Sequence, residues 1–81
     1  MINTKVCGIT NISDALFSIK CGASAIGFIF YKKSERYISY DEAFEIMRYL
    51  PSGTAKIGVF VNEKAKTVNS KSKKLNLDYV Q

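Results

Sequence analysis

Two runs of the chain, Ala25–Phe30 and Lys56–Val61, carry apolar side chains at successive rather than alternate positions, with Gly27 and Gly58 as the only small breaks. A strand wetted on one face alternates apolar and polar residues, whereas a run apolar on both faces suits a parallel sheet covered by helices. Two further β-rich runs, Thr4–Cys7 and Asp78–Gln81, bracket them. Parallel neighbours need a crossover of roughly a dozen or more residues, and strand starts near 4, 25, 56 and 78 leave room for a helix each time. Between the strands the apolar period becomes helical: Ile12, Ala15, Leu16 and Ile19 recur at i, i+3, i+4 and i+7, and so do Ala43, Ile46, Met47 and Leu50. Gly22 follows the first helical stretch, Pro51 and Gly53 follow the second, and Ser39 with Glu42 makes a capping box. The predicted class is therefore α/β, in the parallel order β-α-β-α-β-α-β. If the strands lie in sequence order, right-handed crossovers put all the helices on one face, the curl of a barrel segment rather than a flat doubly wound sheet. The other face then stays apolar and bare. Leu77-Asp78-Tyr79-Val80-Gln81 opens a β pattern in which the chain stops, which reads as a C-terminal truncation. Residues 1–81 are expected to be a single partial domain.

Length and composition narrow the function classes. A chain of 81 residues holds one small domain at most. Its 47% hydrophobic content is too high for a disordered segment. Two cysteines and no histidine exclude a disulfide-rich scaffold and a zinc site of Cys/His type. The apolar stretches fall far short of the ~20 residues that span a bilayer, and the N-terminus lacks a secretory pattern. No membrane association is expected, and a reducing cytoplasm is the expected setting. The net charge of +5 is nearly all C-terminal, six lysines after residue 55 standing against Glu63 and Asp78. The lysines of 64–74 scatter around every side of a helix except that of Ala65, Val68, Ser72 and Leu75. With no arginine or aromatic residue among them, they read as a solvated face rather than a nucleic-acid surface.

In parallel α/β folds, reactive groups gather beyond the carboxyl ends of the strands. Cys7 with Gly8, the loop Tyr31–Ser39, Val61-Asn62 and Gln81 arrive there. From the residues alone, Cys7 is either a small buried hydrophobe or a nucleophilic or basic thiol. Cys21, closing a helix on the far side, is expected to serve packing or the helix end. Arg36 either grips a carboxylate or phosphate through two parallel N–H bonds or pairs with Glu35 or a helix carboxylate. No dinucleotide fingerprint, Walker loop, Ser/His/Asp set or metal-ligand spacing is present.

Four blocks carry a resemblance that reaches further. Lys5-Val6-Cys7-Gly8-Ile9-Thr10-Asn11 is followed by Asp14-Ala15 and Gly22-Ala23; next come Gly27-Phe28-Ile29-Phe30 with Ser34, Arg36, Tyr37 and Ser39; then Gly58-Val59-Phe60-Val61-Asn62; then Asp78-Tyr79-Val80-Gln81. In order and spacing they resemble phosphoribosylanthranilate isomerase, the (βα)8-barrel isomerase of tryptophan biosynthesis. The resemblance implies the first half of a TIM barrel, incomplete at the C-terminus. It implies an Amadori rearrangement of N-(5-phosphoribosyl)anthranilate, a small-molecule substrate, to 1-(2-carboxyphenylamino)-1-deoxyribulose 5-phosphate, with no metal or cofactor. Cys7 matches the family's general base, and Arg36 the arginine used against the anthranilate carboxylate. The family's aspartate acid and phosphate-binding loops lie on later strands, so the 81 residues are expected to be inactive alone. The alternative is a non-catalytic half-barrel that self-associates through its exposed strand face or pairs with a C-terminal complement. Glu35 departs from the family pattern: it replaces a proline, releasing a fixed φ and setting an acid beside Arg36.

Overall fold

In the computed structural model, which describes residues 4–81, strands and helices alternate throughout. They are β1 (Lys5–Cys7), α1 (Ile12–Lys20), β2 (Ala25–Ile29), α2 (Tyr40–Met47), β3 (Ala55–Val59), α3 (Ala65–Leu75) and β4 (Tyr79–Val80). The strands form one sheet in the order β1-β2-β3-β4, with every neighbouring pair parallel. The expected α/β order and the sequence-ordered sheet are both present.

Register sorts the side chains onto two faces, because residues paired across parallel strands point the same way. Val6 pairs with Ile26, and Phe28 with Gly58. Ile26, Phe28 and Phe30 join Ala15, Ala43, Ile46, Met47 and Leu75 in one buried cluster that the helices share. Phe28 has no exposed surface, and complete burial of such a side chain stabilises by about 3 kcal/mol at most. Alanines at 15 and 43, both fully buried, let helices approach the sheet closely where these large residues stand. Phe30 packs its ring 4.8 Å from that of Tyr40 and 5.4 Å from that of Phe60.

On the opposite face Cys7 pairs with Gly27, Gly27 with Ile57, and Ile57 with Tyr79. Ala25, Ile29, Ala55 and Val59 share this side by alternation, and none of them belongs to the helix-packed cluster. They are only half-buried, as expected for a curled sheet with helices on one side. The curl brings Lys5, on β1, to Gln81, just beyond β4: Lys5 Nζ donates to Gln81 Oε1 at 2.6 Å.

The caps explain where the helices begin. Ser39 and Glu42 form the predicted capping box, with Glu42 N–H donating to Ser39 Oγ at 3.2 Å and Ser39 N–H to Glu42 Oε1 at 3.3 Å. Asn11 caps α1 by accepting from Asp14 N–H at 2.8 Å. Cys21 is the exposed C-cap of α1, so of its two expected uses the helix end is the one realised.

Several boundaries differ from expectation. Helix α2 ends at Met47, so Leu50 lies beyond the C-cap Arg48, although it still packs against the core before Pro51. Strand β3 occupies Ala55–Val59 rather than Lys56–Val61, because the chain turns at Asn62, which has a φ of 54°. Val61 is correspondingly exposed. Strand β4 is reduced to Tyr79–Val80, yet its start is fixed from both sides: Lys56 N–H donates to Asp78 Oδ2 and Asp78 N–H to the Lys56 carbonyl, each at 2.8 Å.

Candidate active site

The carboxyl end of β1 is pinned to β2 by one acceptor. Gly8 N–H and Ile9 N–H both donate to the Gly27 carbonyl, at 3.1 and 3.2 Å, and Ile9 is buried as an anchor. The thiol of Cys7 therefore lies on the helix-free face, half-buried and unbridged. The neighbouring position has no side chain, and a Cβ built on Gly27 would fall 2.8 Å from Cys7 Sγ. The space beside the thiol exists because β2 carries glycine in register with it.

Arg36 comes from the loop between β2 and α2. Ser34 organises that loop: its N–H donates to the Tyr31 carbonyl at 2.9 Å, its hydroxyl accepts from Arg36 N–H at 3.1 Å, and its carbonyl accepts from Tyr37 N–H at 3.2 Å. The loop then returns to the sheet, where Ile38 N–H donates to the Ile29 carbonyl and the Ile38 side chain is buried. This return sends the Arg36 side chain across the end of β1, where Nη1 donates to the Cys7 carbonyl at 3.4 Å. Two residues 29 positions apart, each singled out in the sequence, thus meet at one point of the strand ends.

Of the two readings of Arg36, pairing with Glu35 or a helix carboxylate is not seen among the described residues. Among the described residues the only ion pair joins Arg48 to Glu45, so the guanidinium of Arg36 is engaged neither by Glu35 nor by a helix carboxylate. Its remaining N–H groups are available for a planar anion, the use to which a guanidinium fork is best fitted. No group of three His, Cys, Asp or Glu side chains among the described residues could hold a metal ion. No helix is long and apolar enough to cross a membrane.

Two open clefts lie away from Cys7 and Arg36. One, of about 410 Å³, runs between the strand-end loops and includes Tyr31, Lys32, Lys33, Tyr40, Val61 and Glu63. The other, of about 390 Å³, lies at the opposite end of the sheet beside Pro51, Lys56 and Asp78. Tyr40 is held above the ordinary tyrosine value of 10.0, first by burial and then by the negative charge of Glu63 and the nearby Tyr37. Of the other groups expected at the strand ends, Val61 lines the first cleft and Gln81 holds Lys5. The sequence reading sets Gly8 at the strand end beside Cys7 but gives neither it nor Gly27 a role in the site. The available signal was a glycine directly after the candidate thiol and a second one inside an otherwise apolar strand.

Residues 4–81 match the family model described as N-(5'-phosphoribosyl)anthranilate (PRA) isomerase. The N-(5'-phosphoribosyl)anthranilate isomerase of Thermotoga neapolitana is 53% identical over 68 residues, an alignment that covers 84% of this chain and 33% of that protein. The crystal structure of phosphoribosyl anthranilate isomerase from Thermotoga maritima superposes with a TM-score of 0.95 at 47% identity, covering 100% of this chain and 40% of that one. A crystal structure of phosphoribosyl anthranilate isomerase in complex with reduced 1-(o-carboxyphenylamino)-1-deoxyribulose 5-phosphate gives the same TM-score and identity, with 42% of that chain covered. The chain spans about two-fifths of the length of the solved relatives it matches.

Proposed function

The chain belongs to the N-(5'-phosphoribosyl)anthranilate isomerase family, and from that membership we propose that residues 1–81 are a single partial domain carrying the base and the carboxylate clamp of the isomerase site. The observation that carries this reading is the meeting of Arg36 Nη1 with the Cys7 carbonyl at the strand ends.

The substrate is N-(5-phosphoribosyl)anthranilate. An acid protonates the ribose ring oxygen, the C1–O bond breaks, and the anthranilate nitrogen lone pair closes a C1=N bond. The Cys7 thiolate then takes the C2 proton; the C2–H electron pair forms C1=C2 while nitrogen recovers its own pair. Loss of the C2 hydroxyl proton and gain of a proton at C1 complete the aminoketose. A thiolate suits the C2 step because it is basic near neutral pH, and the chain contains no histidine that could serve instead. Arg36 holds the anthranilate carboxylate through two parallel N–H bonds and so sets C2 against the thiol. The acid and the phosphate-binding groups belong to strands beyond these residues. The chain binds the anthranilate end but does not turn the substrate over alone. The setting is a reducing cytoplasm, which keeps both thiols free.

Titration with anthranilate, followed by its own fluorescence, tests the clamp: saturable binding that Arg36→Ala weakens about tenfold is expected, the loss of one charge-assisted bidentate contact. Binding unaffected by Arg36→Ala refutes it. Turnover of phosphoribosylanthranilate by the purified chain, abolished by Cys7→Ala, refutes the inactivity. A second reading is supported by the half-buried apolar residues of the helix-free face. In it, two copies close four plus four strands into a non-catalytic assembly. A monomer by sedimentation at high micromolar concentration rules that assembly out.

A further inference from the structure

We propose that Gly8 is a positioning residue: the missing side chain at Gly8 is the seat on which Arg36 rests, and that seat is what holds the guanidinium beside Cys7. The inference rests on the reading of Arg36 as the carboxylate clamp, and it adds what determines where the clamp stands.

Three observations support it. Gly8 has a φ of 84°, in the left-handed region that residues with a Cβ rarely enter. A Cβ built there would lie 2.7 Å from Arg36 Cδ, 2.8 Å from Nη1 and 2.9 Å from Cζ, so the guanidinium and its last methylene lie directly against the bare Cα. Among the described residues the guanidinium of Arg36 has the Cys7 carbonyl, at 3.4 Å, as its hydrogen-bond partner and makes no ion pair. The backbone of Arg36 is fixed by Ser34, but the flexible stem beyond it is fixed by contact with Gly8.

The consequence follows from which partner must yield. The three atoms nearest a new Cβ all belong to the outer part of one long side chain, so the collision resolves by Arg36 swinging away rather than by the sheet moving. Occupying the seat therefore displaces the clamp while the strands keep their register. Backbone strain from the positive φ is a separate effect, and two variants separate it. Gly8→Ala carries the Cβ with full strain, and Gly8→Asn carries the same Cβ in a residue that tolerates left-handed backbone better.

The experiment uses the chain itself, labelled with nitrogen-15, and reads the side-chain N–H resonances of Arg36, with those of exposed Arg48 as the internal control. In the parent chain Arg36 is expected to show a dispersed, ordered Nε–H signal; in both Gly8 variants that signal is expected to move to the averaged position of a free arginine while Arg48 stays put. Anthranilate titration of the same samples is expected to weaken about tenfold, as for Arg36→Ala, with no further loss when Gly8→Asn is combined with Arg36→Ala. An Arg36 signal unchanged in Gly8→Asn overturns the proposal, as does a Gly8→Asn penalty on anthranilate binding that persists in the Arg36→Ala background. A parent chain that shows the ordered signal and its loss in Gly8→Asn, yet binds no anthranilate, leaves the seat standing and removes the clamp reading instead.

Discussion

Gly27→Ala places one methyl group at the most sensitive point beside the thiol. The new Cβ lies 2.8 Å from Cys7 Sγ, 3.3 Å from its Cα and 3.4 Å from its Cβ. Carbon atoms pack favourably at about 3.5–4.0 Å, so the sulfur is too close by about an ångström and the Cα by a few tenths. The sulfur can rotate to another staggered well, but the Cα cannot retreat, because Cys7 and Gly27 are paired in the ladder and the Gly27 carbonyl holds both Gly8 and Ile9. Overpacking of this kind costs about 1–3 kcal/mol, against which replacing glycine in a strand returns about 0.5–1 kcal/mol. A net loss of up to about 2.5 kcal/mol is expected, centred on about 1 kcal/mol, at roughly 4–8 °C in Tm per kcal/mol for a chain of this size. Circular dichroism melting measures it. Alkylation by iodoacetamide in a Cys21→Ser background reads the thiol, which is expected to react faster once driven off β2 towards the sheet edge. An unchanged Tm together with an unchanged alkylation rate refutes the claim that Gly27 makes the room in which Cys7 sits.

Other perturbations test the frame around the site. Asp78→Ala leaves Lys56 N–H without its 2.8 Å acceptor and is expected to cost about 1–2 kcal/mol, read as faster hydrogen exchange at Lys56, Phe60 and Gln81 than at Ile26 or Phe28; uniform exchange across the sheet counts against it. Ser39→Ala removes the hydroxyl that accepts from Glu42 N–H in the capping box, leaving the backbone leg to Glu42 Oε1, and is expected to cost about 1 kcal/mol in chemical denaturation, with a Gly replacement milder than Ala. Tyr40 has its ionisation raised above 10.0 in the folded chain, so the unfolded chain loses this proton first as pH rises. Its contribution is complete below pH 10.0 and falls away above it, as the pH passes through the folded-state value. Tyr40→Phe is expected to flatten that part of the stability curve, and tyrosinate absorbance in the folded chain should rise later than in denaturant.

The elements were readable because their determinants are local. The unbroken apolar runs marked the inner strands, the i, i+3, i+4, i+7 spacing marked α1 and α2, and Ser39 with Glu42 marked a helix start to the residue. The ends were less readable. Leu50 fits the helical period of α2 but lies outside it, since a side chain can pack on the core from a turn as well as from a helix. Val61 extends an apolar run without extending β3, because Asn62 has already turned the chain. Cys7 and Arg36 were both identifiable as candidates by residue type and resemblance, whereas their contact was not.

The amino-acid order by itself determined the class of fold, the parallel succession of strands, the bare apolar face and the family, since each depends on patterns spanning a few residues or on blocks kept in order. Tertiary structure alone decided that Arg36 rests on Gly8 and touches Cys7 instead of pairing with Glu35, and that Lys5 reaches Gln81 across the curled sheet. Those outcomes depend on strand register and on the return of the Ser34 loop, which set distances between residues far apart in the chain, and no local pattern encodes such distances.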